Sequence, residues 1–120
     1  MRKHPFSWDL IGDIEEGRPN LGNTMRIEVY RLMQFTFRDV LEQELGADGA
    51  DRLFYKSGLL AGKAFYAEFF KGITDPGEFI RTLQEKLLTF GIGVLRVEDM
   101  DLENHTFTLT VGEDLDCSGL

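Results

Sequence analysis

Tyr55-Lys56-Ser57-Gly58-Leu59-Leu60-Ala61-Gly62-Lys63-Ala64-Phe65 lies inside a long helical pattern and carries two glycines four positions apart. Residues at i and i+4 share one face of a helix, and each glycine costs roughly 1 kcal/mol relative to alanine in a helix interior. A helix that keeps both glycines therefore needs a bare strip of backbone, which we call the glycine patch (Gly58 and Gly62). We predict that it is a helix-packing or dimer contact, with close approach of a ligand as the alternative.

Amphipathic helices are predicted on both sides of the glycine patch. Asn23 or Thr24 can cap the first, and Gly46 supplies a left-handed stop after it. Asp75-Pro76-Gly77-Glu78 is a strong start signal for the last, with a cap followed by proline at the first helical position. The predicted helices run from Asn23 or Thr24 to Leu45, from Gly49 to Lys71, and from Pro76 to Phe90.

The pattern then changes to a period of two. Residues 106–111 alternate, with Phe107, Leu109 and Val111 on one face and three threonines on the other, which predicts a half-buried strand. Residues 92–97 predict its partner, residues 99–105 a polar hairpin loop, and residues 8–11 an edge strand. The predicted fold class is α+β: three helices packed on a small antiparallel sheet, in a single domain covering residues 1–120.

Composition excludes several classes of protein. The net charge is −8, from 21 acidic against 13 basic residues, so the chain repels phosphate backbones and nucleic-acid binding is not expected. No apolar run approaches the length of a membrane span, and no membrane partner is expected. One cysteine, Cys117, rules out an internal disulfide and favours a cytoplasmic location. The ten phenylalanines suit either an apolar pocket or a solid aromatic core.

Catalytic and metal motifs are incomplete. Asp99, Asp101 and Glu103 alternate like calcium ligands, but Asn104 and Thr110 stand where a calcium loop needs glycine and glutamate. The pattern predicts a solvated turn.

Other ligand sets are equally partial. Gly91-Ile92-Gly93 follows a helix and lacks the third glycine of a dinucleotide site. Cys117 with His105 does not make a zinc motif. We therefore predict no metal, no cofactor and no catalytic residue.

The order of these elements resembles the 4-vinyl reductase domain family, often labelled hydrocarbon-binding proteins. The resemblance covers residues 20–120. It rests on Leu21-Gly22, Tyr30-Arg31-Leu32, Leu41-Glu42-Gln43-Glu44-Leu45-Gly46, Gly58-Leu59-Leu60-Ala61-Gly62-Lys63-Ala64-Phe65, Phe90-Gly91-Ile92-Gly93-Val94-Leu95 and Leu115-Asp116-Cys117-Ser118-Gly119-Leu120.

The resemblance implies a fold similar to that of small vesicle-tethering subunits, pairing as a homodimer, and a cavity for small apolar or aromatic molecules. Some members are sensory domains of transcription activators that respond to phenols. Members usually continue into another helix and a zinc-binding cysteine-rich segment, so the domain is expected to be C-terminally incomplete. The His and Trp that orient phenols have no clear counterparts here, because the third helix has no His and Trp8 lies near the N-terminus.

The resulting hypothesis is a non-catalytic binding and signalling domain for a small hydrophobic ligand, acting as a homodimer whose state a partner domain or protein reads. The alternative is a structural dimerisation or scaffold module without ligand, in which the same side chains form solid core. An enzyme that reduces a vinyl group needs a hydride source, and this sequence has no nucleotide or flavin motif to bind one. The residues predicted to line the pocket are Phe37, Leu41, Phe65, Phe69, Leu87 and Phe107.

Overall fold

The computed structural model describes residues 5–120 and has an α+β fold, which confirms the predicted class. The chain divides into two compact units, one ending at Phe69 and the other covering Phe70–Leu120. In chain order the elements are a 3₁₀ helix (Trp8–Ile11), α1 (Ile14–Gly17), α2 (Ile27–Phe69), α3 (Pro76–Thr89), β1 (Val94–Asp101) and β2 (Thr106–Gly112).

Helix α2 is broken at Gly46, where the sequence predicts the end of one helix and the approach of the next. Gly46 has φ 75° and ψ 168°, a conformation essentially restricted to glycine. Three residues later, a Cβ built on Gly49 would lie only 2.7 Å from the Cβ of Leu45. The two glycines therefore let the chain change direction here with little steric conflict.

Side chains on the two sides of Gly46 contact each other and stabilise the bend in α2. The Arg38 guanidinium donates to Asp51 at 2.6 Å and to Glu42 at 3.0 Å, and it lies 5.7 Å from the centre of the Phe54 ring. Phe37 packs edge-to-face on Phe54. The hydrogen bond to Asp51, aided by the charges of both carboxylates, raises the pKa of Arg38 above its ordinary value. Arg38 thus stays a cation that links the two halves of α2.

In the second unit, α3 begins as its sequence predicts. The Asp75 carboxylate accepts a hydrogen bond from the Glu78 backbone N–H at 2.9 Å, and Pro76 occupies the first helical position. Gly91 follows the helix with φ 70°, in the left-handed region. Phe79 of this helix packs on the buried Phe70 at 4.8 Å between ring centres.

Strands β1 and β2 form one antiparallel hairpin, with Leu95 opposite Val111 and Asp101 opposite Thr106. An irregularity between Val97 and Asp99 places an extra residue in β1. The prediction that the loop begins at residue 99 is wrong, because β1 continues to Asp101 before the turn.

Two further boundaries differ from the sequence predictions. Trp8–Ile11 is a 3₁₀ helix and not an edge strand, because the Leu10 N–H bonds to the carbonyl of Ser7 and closes a tight turn. Helix α2 begins at Ile27 and not at residue 24, since the Thr24 hydroxyl donates to the carbonyl of Leu21 and stabilises the preceding loop.

The Asp101 turn is expected to make hairpin stability dependent on pH. The Asn104 side chain donates to the Asp101 carboxylate at 2.7 Å, and the backbone N–H groups of Asn104 and Glu103 also donate to it. These bonds, led by the Asn104 side chain, lower the pKa of Asp101. The contribution of these hydrogen bonds to hairpin stability is present above about pH 4, the ordinary pKa of Asp. It is lost as the pH falls through the lower pKa that Asp101 has in the folded chain.

We expect Asp101→Asn to remove this loss of stability in acid, measured as hairpin amide exchange between about pH 6 and pH 2. Asp99→Asn, a neutralisation of the same size two residues away, should keep the wild-type difference. An Asp101→Asn profile that still follows the wild type would contradict the assignment.

Candidate functional site

The Trp8 side chain joins the N-terminal segment to the C-terminal half of α2. Its indole Nε1 donates to the backbone carbonyl of Ala64 at 3.2 Å. Its ring packs edge-to-face on Phe69 at 5.5 Å and lies 6.2 Å from Phe65, and these two phenylalanines are 4.9 Å apart. The hydrogen bond and the ring contacts together hold the indole in one orientation.

Beside this ring cluster runs an apolar groove of about 410 Å³, which we call the Trp8 groove. Small residues of α2 form its floor, and aromatic rings of the N-terminal segment form one wall. Ser57, Ala61 and Ala64 are spaced four and three residues apart and so share one helix face. The full lining is Pro5, Phe6, Trp8, Ser57, Leu60, Ala61, Ala64 and Phe65.

The lining determines what the Trp8 groove can bind. Its volume lies within the range of about 300–1,000 Å³ that is usual for small-molecule sites. The Ser57 hydroxyl is the one polar side-chain group in the lining besides the indole N–H, which Ala64 already engages. The lining contains no carboxylate, imidazole, thiol or amine. The groove therefore suits an apolar or aromatic molecule with at most one hydrogen-bonding group.

A second depression, of about 530 Å³, lies on another side of Trp8 and is acidic. Asp9, Asp13 and Glu15 contribute to its lining, and the Asp13 carboxylate caps α1 by accepting from the Glu16 N–H. It is wide open to solvent, so its carboxylates remain hydrated. We regard this depression as ordinary solvent-exposed surface and not as a binding site.

The predicted pocket residues of the first unit fall into two groups. Phe65 and Phe69 belong to the Trp8 ring cluster, and Phe65 lines the groove. Phe37 lies near the Gly46 break against Phe54, and Leu41 lies one helical turn beyond Phe37, half-buried. The structure therefore brings two of these four residues to the Trp8 groove.

The two predicted pocket residues of the second unit line separate depressions. Phe107 joins Phe79, Ile80 and Leu83 in an apolar groove of about 390 Å³ between α3 and β2. Leu87 lines a smaller one of about 190 Å³ at the other end of α3.

Sequence reasoning missed most of the groove's lining. The sequence pattern places Trp8 in a strand, and it does not single out Ser57, Leu60, Ala61 and Ala64 as pocket residues. A usable signal was present in the small residues at positions 57, 61 and 64, because such a row leaves a shallow floor on a helix surface.

The glycine patch is open within the described part of the first unit. A Cβ built on Gly58 or Gly62 would meet no atom within 4 Å, apart from the helix's own nearby backbone. Tyr55, Leu59 and Tyr66 are exposed around it. The predicted packing of the glycines is thus not made by the described residues of the first unit, and the dimer contact remains a prediction.

Two features are absent from the described residues. Over residues 5–120, no three His, Cys, Asp or Glu side chains are grouped so as to hold a metal ion. No helix in that range combines the length and the apolar character that crossing a bilayer requires.

The chain exposes more surface than its mass explains. Its accessible area is 9886 Å². Two separate compact bodies of the sizes of these units would together expose about 8,000 Å². The excess, roughly 1,900 Å², therefore does not depend on how the units are arranged. In the described part of the chain, the buried hydrophobic residues are Ala50, Phe70 and Leu95.

Comparison of the chain with protein-family models, with curated proteins and with solved structures found no match. The resemblance to the 4-vinyl reductase domain family consequently rests on the sequence motifs alone, and the expected likeness to vesicle-tethering subunits has no support from solved structures.

Proposed function

We propose that this chain is a non-catalytic binding domain that holds a small apolar or aromatic molecule in the Trp8 groove and acts as a homodimer. The observation that supports this function best is the groove itself, about 410 Å³ in volume and lined by aromatic rings and small apolar side chains.

Recognition in such a groove comes from shape and burial. Each methylene that leaves water on binding contributes about 0.8 kcal/mol. The Trp8 and Phe65 rings offer flat faces and edges to an aromatic guest, and the hydrogen bond from Trp8 to Ala64 orients the indole before the ligand arrives. The Ser57 hydroxyl can bond one oxygen or nitrogen of the guest.

A sensory role follows from the same contacts. Trp8 links the N-terminal segment to α2, so a bound molecule that touches both stabilises their association. A partner domain or protein can then read the ordered N-terminal segment. This mechanism matches what the family resemblance implies for sensory members, and it needs neither a cofactor nor a reaction.

Titration with N-phenyl-1-naphthylamine, an uncharged apolar fluorophore, tests the proposal. Trp8 is the only tryptophan in the sequence, so the tryptophan emission comes from a residue that lines this groove. We expect saturable binding of one probe per chain, with loss of Trp8 emission as the probe's emission rises. Probe binding that leaves Trp8 emission unchanged would place the site elsewhere and contradict the proposal.

Two matched variants sharpen this test. Ala61→Phe fills the groove, and we expect at least tenfold weaker binding, about 1.4 kcal/mol. Ala67→Phe adds the same ring to an exposed position of α2 outside the lining and should bind as the wild type does. Ser57→Ala should weaken the binding of 1-naphthol by roughly threefold to tenfold and leave the binding of naphthalene unchanged, because only 1-naphthol can form a hydrogen bond with the Ser57 hydroxyl.

The second candidate function is a scaffold module that associates without a ligand. The open glycine patch and the excess exposed area both favour it, because a stable interface removes about 800 Å² from each partner. It predicts that the apolar probe is not bound in the Trp8 groove while the chain still dimerises.

A further inference from the structure

The outer edge of strand β1 is covered within the second unit. The Gln84 side chain on α3 donates from Nε2 to the backbone carbonyl of Leu95 at 3.1 Å, and Leu95 is buried. That carbonyl consequently points away from β2. In an antiparallel pair, residues directly opposite alternate between bonding each other and facing outward, so the peptide groups of Val111, opposite Leu95, also face outward.

The same alternation describes the outer edge of β2. The irregularity in the hairpin lies in β1, so β2 itself alternates without interruption. The backbone N–H and C=O groups of Phe107, Leu109 and Val111 therefore face away from β1. In the described part of the chain, no backbone or side-chain group is hydrogen-bonded to this edge.

Strand β2 also lacks the usual protection of an exposed edge. Its sequence, Thr-Phe-Thr-Leu-Thr-Val-Gly, has no charge and no proline, whereas β1 carries Arg96, Glu98, Asp99 and Asp101. Exposed edges normally carry lysine, proline or inward charges, because a bare edge pairs with another strand. An isolated two-stranded sheet is marginally stable at best, and three or more strands with an apolar face are needed for independent stability.

We propose that β2 pairs antiparallel with β2 of a second copy of this chain, giving one continuous four-stranded sheet. Leu109 lies opposite Leu109 of the partner subunit at the two-fold axis, and Phe107 lies opposite the partner's Val111. Each of these three residues then donates one backbone hydrogen bond and accepts one. This inference rests on the homodimer of the proposed function and identifies its contact surface.

A second copy fits this edge better than an unrelated strand, for two reasons. The chain carries a net charge of −8, and β2 is an uncharged segment through which two such chains can meet without bringing acids together. The register is also self-complementary, because it continues the apolar row of Phe107, Leu109 and Val111 into the partner's row. These three side chains are now 42%, 38% and 47% exposed.

The opposite face and the neighbouring groove agree with this pairing. Thr108 lies opposite the partner's Thr110, and facing threonines are favourable cross-strand neighbours. A two-fold axis perpendicular to the sheet keeps both apolar rows on one face. The 390 Å³ groove between α3 and β2, whose lining includes Phe107 and Leu109, then continues over the partner's row.

Sedimentation equilibrium of two double variants tests the contact. Thr108→Lys with Thr110→Lys places lysine opposite lysine twice across the axis, while Thr108→Lys with Thr110→Glu places opposite charges there. Within one chain, Thr108 lies opposite Asp99, and Thr110 lies opposite Arg96 and donates to Glu98 at 2.9 Å, so each lysine of the dilysine variant has a carboxylate beside it in its own hairpin. In the control, the lysine at position 108 faces Asp99 and the glutamate at position 110 faces Arg96. We expect the dilysine variant to raise the dimer dissociation constant at least tenfold and the Lys/Glu variant to dimerise.

A disulfide tests the register, in a Cys117→Ser background that removes the native thiol. Leu109→Cys places two cysteines opposite each other with Cα atoms about 5.5 Å apart, within bridging range. Thr108→Cys lies opposite the partner's Thr110 and should not cross-link. This test reads pairing directly, and it therefore holds even if the dilysine chain fails to fold.

Three outcomes would overturn the proposal. They are a monomeric wild-type chain, a dimer that survives the dilysine change, and a dimer that is lost instead in Gly58→Leu with Gly62→Leu, which would assign the contact to the glycine patch. Probe binding to the Trp8 groove is scored separately. Ala61→Phe should still dimerise and the dilysine variant should still bind the probe, so failure of either proposal is distinguishable from failure of the other.

Discussion

Replacing Gly46 by alanine is expected to lower the free energy of unfolding by about 1–3 kcal/mol. The residue has φ 75° and ψ 168°, and a side chain in that region clashes with its own backbone. The first unit cannot relieve the strain by straightening α2 without breaking the contacts of Arg38 with Asp51 and of Phe37 with Phe54. Urea unfolding followed by Trp8 fluorescence measures the change in this unit.

The glycine patch supplies the control for Gly46. Gly58→Ala places a Cβ in open space at a helical position and should raise stability by up to about 1 kcal/mol. If Gly46→Ala stabilised the protein to the same extent, Gly46 could not have the backbone conformation described here.

Gly93→Ala is expected to cost about 1–3 kcal/mol through overpacking in the second unit. Gly93 is buried between α3 and β1, and a Cβ there would lie 2.6 Å from Cγ1 of Val111 and 3.2 Å from the carbonyl oxygen of Gly112. Neither atom can move away freely, because both belong to β2, which is paired with β1. Hydrogen exchange of the β1 and β2 amides is the suitable measurement, since the chain's tryptophan lies in the other unit.

A double variant separates the two contacts of Gly93. Val111→Ala removes the nearer atom, so Gly93→Ala should cost less in that background than in the wild type. The new Cβ would still lie close to the Gly112 carbonyl oxygen, so we expect part of the loss of stability to remain. Equal costs in the two backgrounds would show that Val111 is not the obstacle.

Local signals predicted the elements whose cause is local. The Asp75 cap, the glycine at position 46 and the strand β2 each depend on a few neighbouring residues, and each is found where the sequence places it. The predicted half-burial of β2 is wrong, because its apolar side chains are exposed like the threonines between them, and burial depends on what covers the strand. The strand prediction for Trp8–Ile11 is wrong, and the Trp8 side chain in this segment bonds to a partner 56 residues away, the carbonyl of Ala64, which a local pattern cannot include. Four apolar residues in a row cannot by themselves distinguish a strand from a 3₁₀ turn.

The candidate site was less predictable than the fold. Phe65 was named as a pocket residue because it lies on an apolar helix face, and it does line the Trp8 groove. Apolar periodicity cannot reveal the floor at Ser57, Ala61 and Ala64, because there the absence of bulk creates the space. Likewise, the outward direction of the β2 peptide groups is inferred from the hydrogen bond of Gln84 to the Leu95 carbonyl, and no sequence pattern predicts that bond.

The span of the Trp8 contact also bears on the order of folding. The bonds from Arg38 to Asp51 and from Gln84 to Leu95 close 13 and 11 residues, whereas the bond from Trp8 to Ala64 closes 56. Closing a longer segment costs more chain entropy and lengthens the search, so contacts between distant residues form later. We therefore expect the indole to dock on α2 after the Gly46 break has formed. On this expectation, the groove that we propose as the binding site is the last part of the first unit to be assembled.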